Sequence, residues 1–184
     1  MTAAFAFDIK GKLDSEKVKK LMGPSTDVLT GYLDNQPDHP ARSWNAKQLE
    51  LVQRYRPWWL PAKAISMVDL AKKMTYGSAD KPARPFLEEG IGFDMNAVNM
   101  EVGKHYKAVN EGQKDRAQSL KALGAFLVGQ VVEFMSSDVY KSSSPNSAIT
   151  QEIKGSDQPL IDTGLLRQSI HSEVRSGISS GAEE

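Results

Sequence analysis

The chain has 184 residues, with 23 Lys and Arg against 23 Asp and Glu, so its formal net charge is zero. It contains no cysteine, which excludes disulfides and thiolate metal ligands. The length suits one domain that buries its own core, and the balanced charge argues against a general nucleic-acid binder, which would be basic.

The opening MTAAFAFDIKGK lacks a basic stretch followed by a long apolar one and does not read as a signal peptide. No apolar run is expected to approach the length of a membrane span, so a soluble intracellular protein with no membrane partner is expected. Phe5, Phe7 and Ile9 alternate with Ala6, Asp8 and Lys10, a period of two that predicts a strand ending at Gly11. Asp14 or Ser15 then caps a helix with Val18, Leu21 and Met22 on one face. Gly23-Pro24 stops it, and Ser25 or Thr26 is expected to start another helix running through Leu33.

Residues 34–44 carry two prolines and short polar side chains and read as a loop. Residues 45–55 place Leu49 and Val52 at helical spacing. Pro57 and Pro61 then bracket Trp58-Trp59 and argue against regular structure there. The stretch 34–63 therefore reads as a Trp- and Pro-rich insertion. Ser66 caps a helix over 66–77 with Met67, Leu70, Ala71 and Met74 on one face and Gly77 as its stop. Pro82 and Pro85 force extension around Arg84, whose guanidinium is placed to fork onto a carboxylate or carbonyls. Phe86 and Leu87 bury next, and a helix is expected from about 94 after interruptions near Gly90 and Gly92.

The clearest helix spans 113–137. Leu120, Leu123, Leu127, Val131 and Phe134 form its apolar stripe, widened by Val128, Val132 and Met135. Gly124 and Gly129 each cost about 1 kcal/mol relative to alanine inside a helix, which points to close approach of a neighbouring element. Residues 141–158 are polar and turn-rich, with a short helix at SAITQEI. The fold class expected is α+β, a small mixed or antiparallel sheet packed on several helices. Residues 1–175 form one domain and 176–184 a flexible tail.

Residues 157–174, DQPLIDTGLLRQSIHSEV, contain an Asp-Thr-Gly triplet of the kind found in aspartic proteases. Such proteases pair two carboxylates over one shared proton, and here the triplet occurs once. A structural joint fits better. Pro159 fixes the chain direction, Asp162 or Thr163 accepts from the amides that follow, and Gly164 permits a tight turn. Leu165 and Leu166 begin a helical turn capped by Thr163, followed by IHSEV as a strand; the spacing of Leu166, Ile170 and Val174 leaves a continuous helix open. His39, His105 and His171 are too far apart in sequence for a zinc-type cluster, and no phosphate loop or nucleophile elbow is present. No catalytic residue, metal or cofactor is assigned. Trp44, Trp58 and Trp59 read first as cover over the core, next as an anchor on a partner protein and last as a stacking platform for nucleic acid.

Three segments together resemble the tail-completion or neck proteins of tailed bacteriophages. They are FDIKGKLDSEKVKKL near the start, MVDLAKKMTYGSADKPARPFLEEGI in the centre and PLIDTGLLRQSI near the end. Where relatives carry an Asn-Glu-Phe-Gly run, this chain has Lys73-Met74-Thr75-Tyr76-Gly77 and keeps only the aromatic-Gly pair. The resemblance implies a non-enzymatic virion protein at the head-tail junction or tail end, present in the host cytoplasm during assembly. It implies a homo-oligomeric ring that contacts connector and tail tube or sheath proteins, with no sequence-specific nucleic acid. On this reading Trp58, Trp59 and Arg84 are candidate partner contacts. Pro85, Phe86, Pro159, Asp162, Thr163, Gly164 and Leu166 set the fold. The alternatives are a hydrolase using Asp162 and a DNA-packaging accessory factor.

Overall fold

The computed structural model describes residues 16–17, 21, 26–32, 38–60, 63–78, 82–161 and 164–176. The strand expected over 5–9, its following cap at Asp14 or Ser15, and the tail beyond 176 lie outside these residues. Among them the chain is α+β, with eight α-helices and a two-stranded antiparallel sheet. The strands are β1 (Thr26–Gly31) and β2 (His171–Ser176), in a register that sets Val28 opposite Val174. The helices are α1 (Ala46–Tyr55), α2 (Met67–Tyr76), α3 (Phe86–Ile91), α4 (Met95–Asn110), α5 (Arg116–Ser136), α6 (Asp138–Ser143), α7 (Ala148–Lys154) and α8 (Leu165–Gln168).

The helix expected from Ser25 or Thr26 to Leu33 is strand β1 instead. The segment alternates Val28, Thr30 and Tyr32, and β-branched and aromatic side chains favour a pleated, half-covered surface over a helix. Thr30 and Tyr32 are buried. At the C-terminal end the helical turn and the strand after it form as expected: the helix stops after Gln168 and His171–Ser176 is strand, so Leu166, Ile170 and Val174 do not share one helix.

α5 is the central element, touching both strands, α3, α4 and α6. Its stripe of Leu120, Leu123, Leu127, Val131 and Phe134 is buried as expected, and Met135 joins it. By length and composition α5 is also apolar enough to cross a membrane, against the expectation that no run reaches such a span, because its few polar residues are spread along the helix. Its buried side is committed to the core.

The two glycines of α5 differ. A Cβ on Gly124 would stand 2.6 Å from Ser172 Oγ and 2.8 Å from Ser172 Cβ, so this glycine lets the sheet lie close on the helix. Gly129 faces open space. Gly90 does not interrupt a helix but sits within α3, where a Cβ would come 2.9 Å from Val131 Cα. Glycine is thus the contact point between α3 and α5.

Most of the core forms one cluster that includes Tyr32, Ala71, Phe86, Leu87, Ile91, Val98, Val131 and Tyr140. A smaller one gathers Leu21, Val102, Leu120 and Leu123 under the sheet. Full burial contributes roughly 1.5–3 kcal/mol for a side chain such as Leu or Phe. The helix starts follow local chemistry. Asn45 and Gln48 make a capping box for α1, and Ser66, Asp94, Asp115, Ser137 and Ser147 cap five further helices through their side chains. Gly77, at φ 75°, ends α2 as its position suggested.

Candidate functional site

The stretch around Phe86, here the central signature by resemblance only, and the stretch around Leu166, the C-terminal one, meet at one residue. Tyr32 follows β1 and is wholly buried. Its ring packs edge-on against Phe86 of the central signature, with centroids 6.3 Å apart. Its hydroxyl donates to the Leu166 carbonyl of the C-terminal signature at 2.8 Å. Burial, with Tyr140 nearby, holds the Tyr32 hydroxyl far above its ordinary pKa, so it stays a donor. Phe86 is fully buried behind Pro85, and Leu166 is buried on α8. Gly164 precedes α8 at φ 80°, a left-handed conformation that glycine adopts without strain.

Upstream, the amide of Ile161 donates to the carbonyl of buried Pro159 at 2.7 Å, closing a tight turn around Leu160 at φ 55°. A positive φ at leucine is a strained backbone. Asp162 and Thr163 lie outside the described residues, and the residue at the start of α8 is Gly164, which supplies no side-chain cap.

Arg84 is turned inward. Its guanidinium donates to Asn146 Oδ1 at 3.3 Å and to the Pro145 carbonyl at 3.2 Å, while its amide bonds the carbonyls of Met74 and Thr75 at the end of α2. The fork onto amide and backbone carbonyl oxygens is as the sequence suggested, and both acceptors belong to this chain. The sequence reading missed the hub of this network. Asn146 is buried, and its amide donates to the carbonyls of Asp157 and Gln158 at 3.2 and 3.1 Å. Gln158 in turn donates to the Met135 carbonyl at 2.8 Å. Nothing in the polar run 141–158 marks one asparagine as buried.

Above this network lies a shallow depression lined by Asp138, Lys141, Ser142, Pro145, Gln151 and Asp157. Lys141 Nζ and Asp157 Oδ2 are 2.6 Å apart, a contact that raises the lysine and lowers the carboxylate. Both charges are exposed and matched to each other, and no nucleophile is set beside a base there.

Of the tryptophans, Trp58 is exposed, while Trp44 and Trp59 are half-buried with the Trp44 indole nitrogen covered. Neither buried cluster contains one. Trp44 and Trp59 stack at 5.9 Å and 18°, with Arg42 4.3 Å from the Trp44 ring. Trp58 is 58% exposed, on a one-turn 3-10 helix at Pro57–Trp59 where irregular chain was expected. Proline suits the first position of such a turn because the absent N–H has no partner to lose. Arg56 lies 5.5 Å from the Trp58 ring and Arg54 lies 5.2 Å from Tyr55. Trp58 and Trp59 are therefore adjacent in the fold, while Arg84 belongs to the Asn146 network.

Among the described residues no group of three His, Asp or Glu side chains is placed to hold a metal ion. His105 is buried on α4, with Glu101 Oε1 3.1 Å from its Nε2. Searches of protein families, curated proteins and solved structures return no match to this chain.

Proposed function

We propose that this chain is a structural virion protein of a tailed bacteriophage, acting in several copies at the head-tail junction or the tail end. The observation that carries the reading is the convergence on Tyr32. The ring packs Phe86 of one signature, and the hydroxyl holds Leu166 of the other. Residues far apart in sequence that resemble a neck-protein pattern are spent together on one buried joint. Side chains used in this way shape a rigid body and leave none of their atoms for a substrate. The two segments then act as one unit, as the ordered resemblance implies.

The mechanism on this reading is assembly. A rigid helical body presents aromatic and arginine side chains to its neighbours, the residue types that dominate binding energy at protein interfaces. Repetition of the same contact around an axis multiplies modest affinities through effective concentration.

The test is electron microscopy of lysates from phage lacking this gene. Filled heads and separate tails that regain infectivity on addition of purified protein are expected. Normal joined particles from the null phage would overturn the assignment.

A further inference from the structure

The chain is neutral as a whole, but its charge is unevenly placed. Between residues 38 and 63 stand five basic residues, Arg42, Lys47, Arg54, Arg56 and Lys63, against Asp38 and Glu50. Between residues 84 and 104 stand Glu88, Glu89, Asp94 and Glu101 against Arg84 and Lys104; Lys104 pairs with Glu101 at 3.0 Å, so the acidic corner is Glu88 and Glu89. Each region also exposes aromatic surface.

On the basic side, Trp58 is 58% and Tyr55 37% exposed, each with an arginine close to its ring. The Arg56 guanidinium is fixed from behind, donating to the Tyr55 carbonyl at 3.1 Å and Ser147 Oγ at 3.4 Å. An arginine held against an aromatic ring loses little further freedom on meeting a carboxylate. On the acidic side, Glu88 and Glu89 are exposed on α3, and Phe93 in the turn after it is 39% exposed while packing on Phe134. Partial desolvation, with Glu88 as neighbour, raises the Glu89 pKa above its ordinary value, so an incoming cation would favour its charged form.

We infer that these are the two halves of one heterologous interface, in which the Trp58–Arg54–Arg56 face of one copy docks on the Glu88–Glu89–Phe93 corner of the next. The match is in kind as well as sign: arginines meet carboxylates and Trp58 meets Phe93. Two different patches on one chain give head-to-tail association, which closes into a ring or runs on as a filament. The inference rests on the multi-copy part of the proposed function and names the surfaces that would serve it. A single-stranded nucleic acid is the weaker occupant, because the chain has zero net charge and Trp58 alone among its tryptophans is exposed, a short platform for stacking bases.

The experiment is light scattering with size-exclusion chromatography on the purified full chain at low and high salt, with circular dichroism as the fold check. Wild type is expected to form concentration-dependent species larger than a dimer, weakened at high salt because the contact is ionic. Arg54→Ser with Trp58→Ser damages one face, and Glu88→Lys with Glu89→Lys damages the other. Each double variant is expected to be folded and monomeric, with self-affinity down at least tenfold. Their equimolar mixture keeps one intact pair of faces and is expected to stop at a one-to-one dimer. Wild type that is monomeric at low salt, folded variants that assemble as wild type does, or a mixture that stays monomeric would each overturn the inference. Because this is read in solution, it succeeds or fails separately from the location of the protein in a virion.

Discussion

The Tyr32 hydroxyl donates a 2.8 Å hydrogen bond to the Leu166 carbonyl across 134 residues of chain, inside the core. The same tyrosine packs on Phe86, so one side chain links β1, α3 and α8. Tyr32→Phe keeps the ring and removes the donor, leaving a buried carbonyl unpaired. We expect a loss of about 1–3 kcal/mol in urea unfolding, with unchanged circular dichroism. A variant as stable as wild type would mean the bond contributes nothing to the joint.

The glycines of α5 give a pair of opposite outcomes. Gly124→Ala places a methyl group within 3 Å of Ser172 and must push β2 off the helix. A loss of about 1–3 kcal/mol is expected from such overpacking. Gly129→Ala meets open space, so helix propensity alone acts and should add up to about 1 kcal/mol. Thermal unfolding of both variants checks the sign of each.

Arg84 and Trp58 separate stability from association. Arg84→Ala removes the grip on Asn146 and the Pro145 carbonyl and should lower unfolding stability by roughly 1–2 kcal/mol. Trp58→Ala removes exposed surface and should leave the unfolding midpoint within about 0.5 kcal/mol of wild type. Denaturant titration of both would show the reverse order if Arg84 were an external contact and Trp58 a core residue.

His105 provides a pH test. Its burial on α4 lowers its pKa, outweighing the opposing pull of Glu101; Lys114 and Lys104 lower it further. The folded state therefore prefers neutral imidazole, and the unfolded chain binds the proton first. This contribution is complete above the ordinary histidine value of about 6.5 and is lost as pH falls below it toward the lowered folded value. His105→Gln should flatten that part of the profile. Urea midpoints between pH 8 and about 5 measure it, and parallel profiles for the two proteins would remove the histidine from the acid sensitivity.

The parts of this fold legible in the sequence are those set by local chemistry. The α5 stripe, the Ser66 cap, the Gly77 stop and the burial of Phe86 and Leu87 follow from spacing, a hydroxyl, a glycine and a preceding proline. Strand β1 carries a local helix signal, a serine or threonine after Gly-Pro, and what makes it a strand is its pairing with β2, distant in sequence. Gly90 looked like an interruption because its role depends on Val131 of another helix. Tryptophan's large apolar ring predicts burial, which Trp44 and Trp59 meet in half and Trp58 does not. Their arrangement depends on the 3-10 turn at Pro57 and on the Trp44–Trp59 stack. Asn146 carried no local mark at all, since its partners come from Arg84 and from the chain after α7.

The structural role in a virion is tested most directly by quantitative mass spectrometry of gradient-purified phage particles. The account predicts that this chain co-purifies with infectious particles at a fixed small number of copies per virion, equal in every preparation. Its absence from intact infectious particles, with the protein remaining in the soluble lysate, would contradict it.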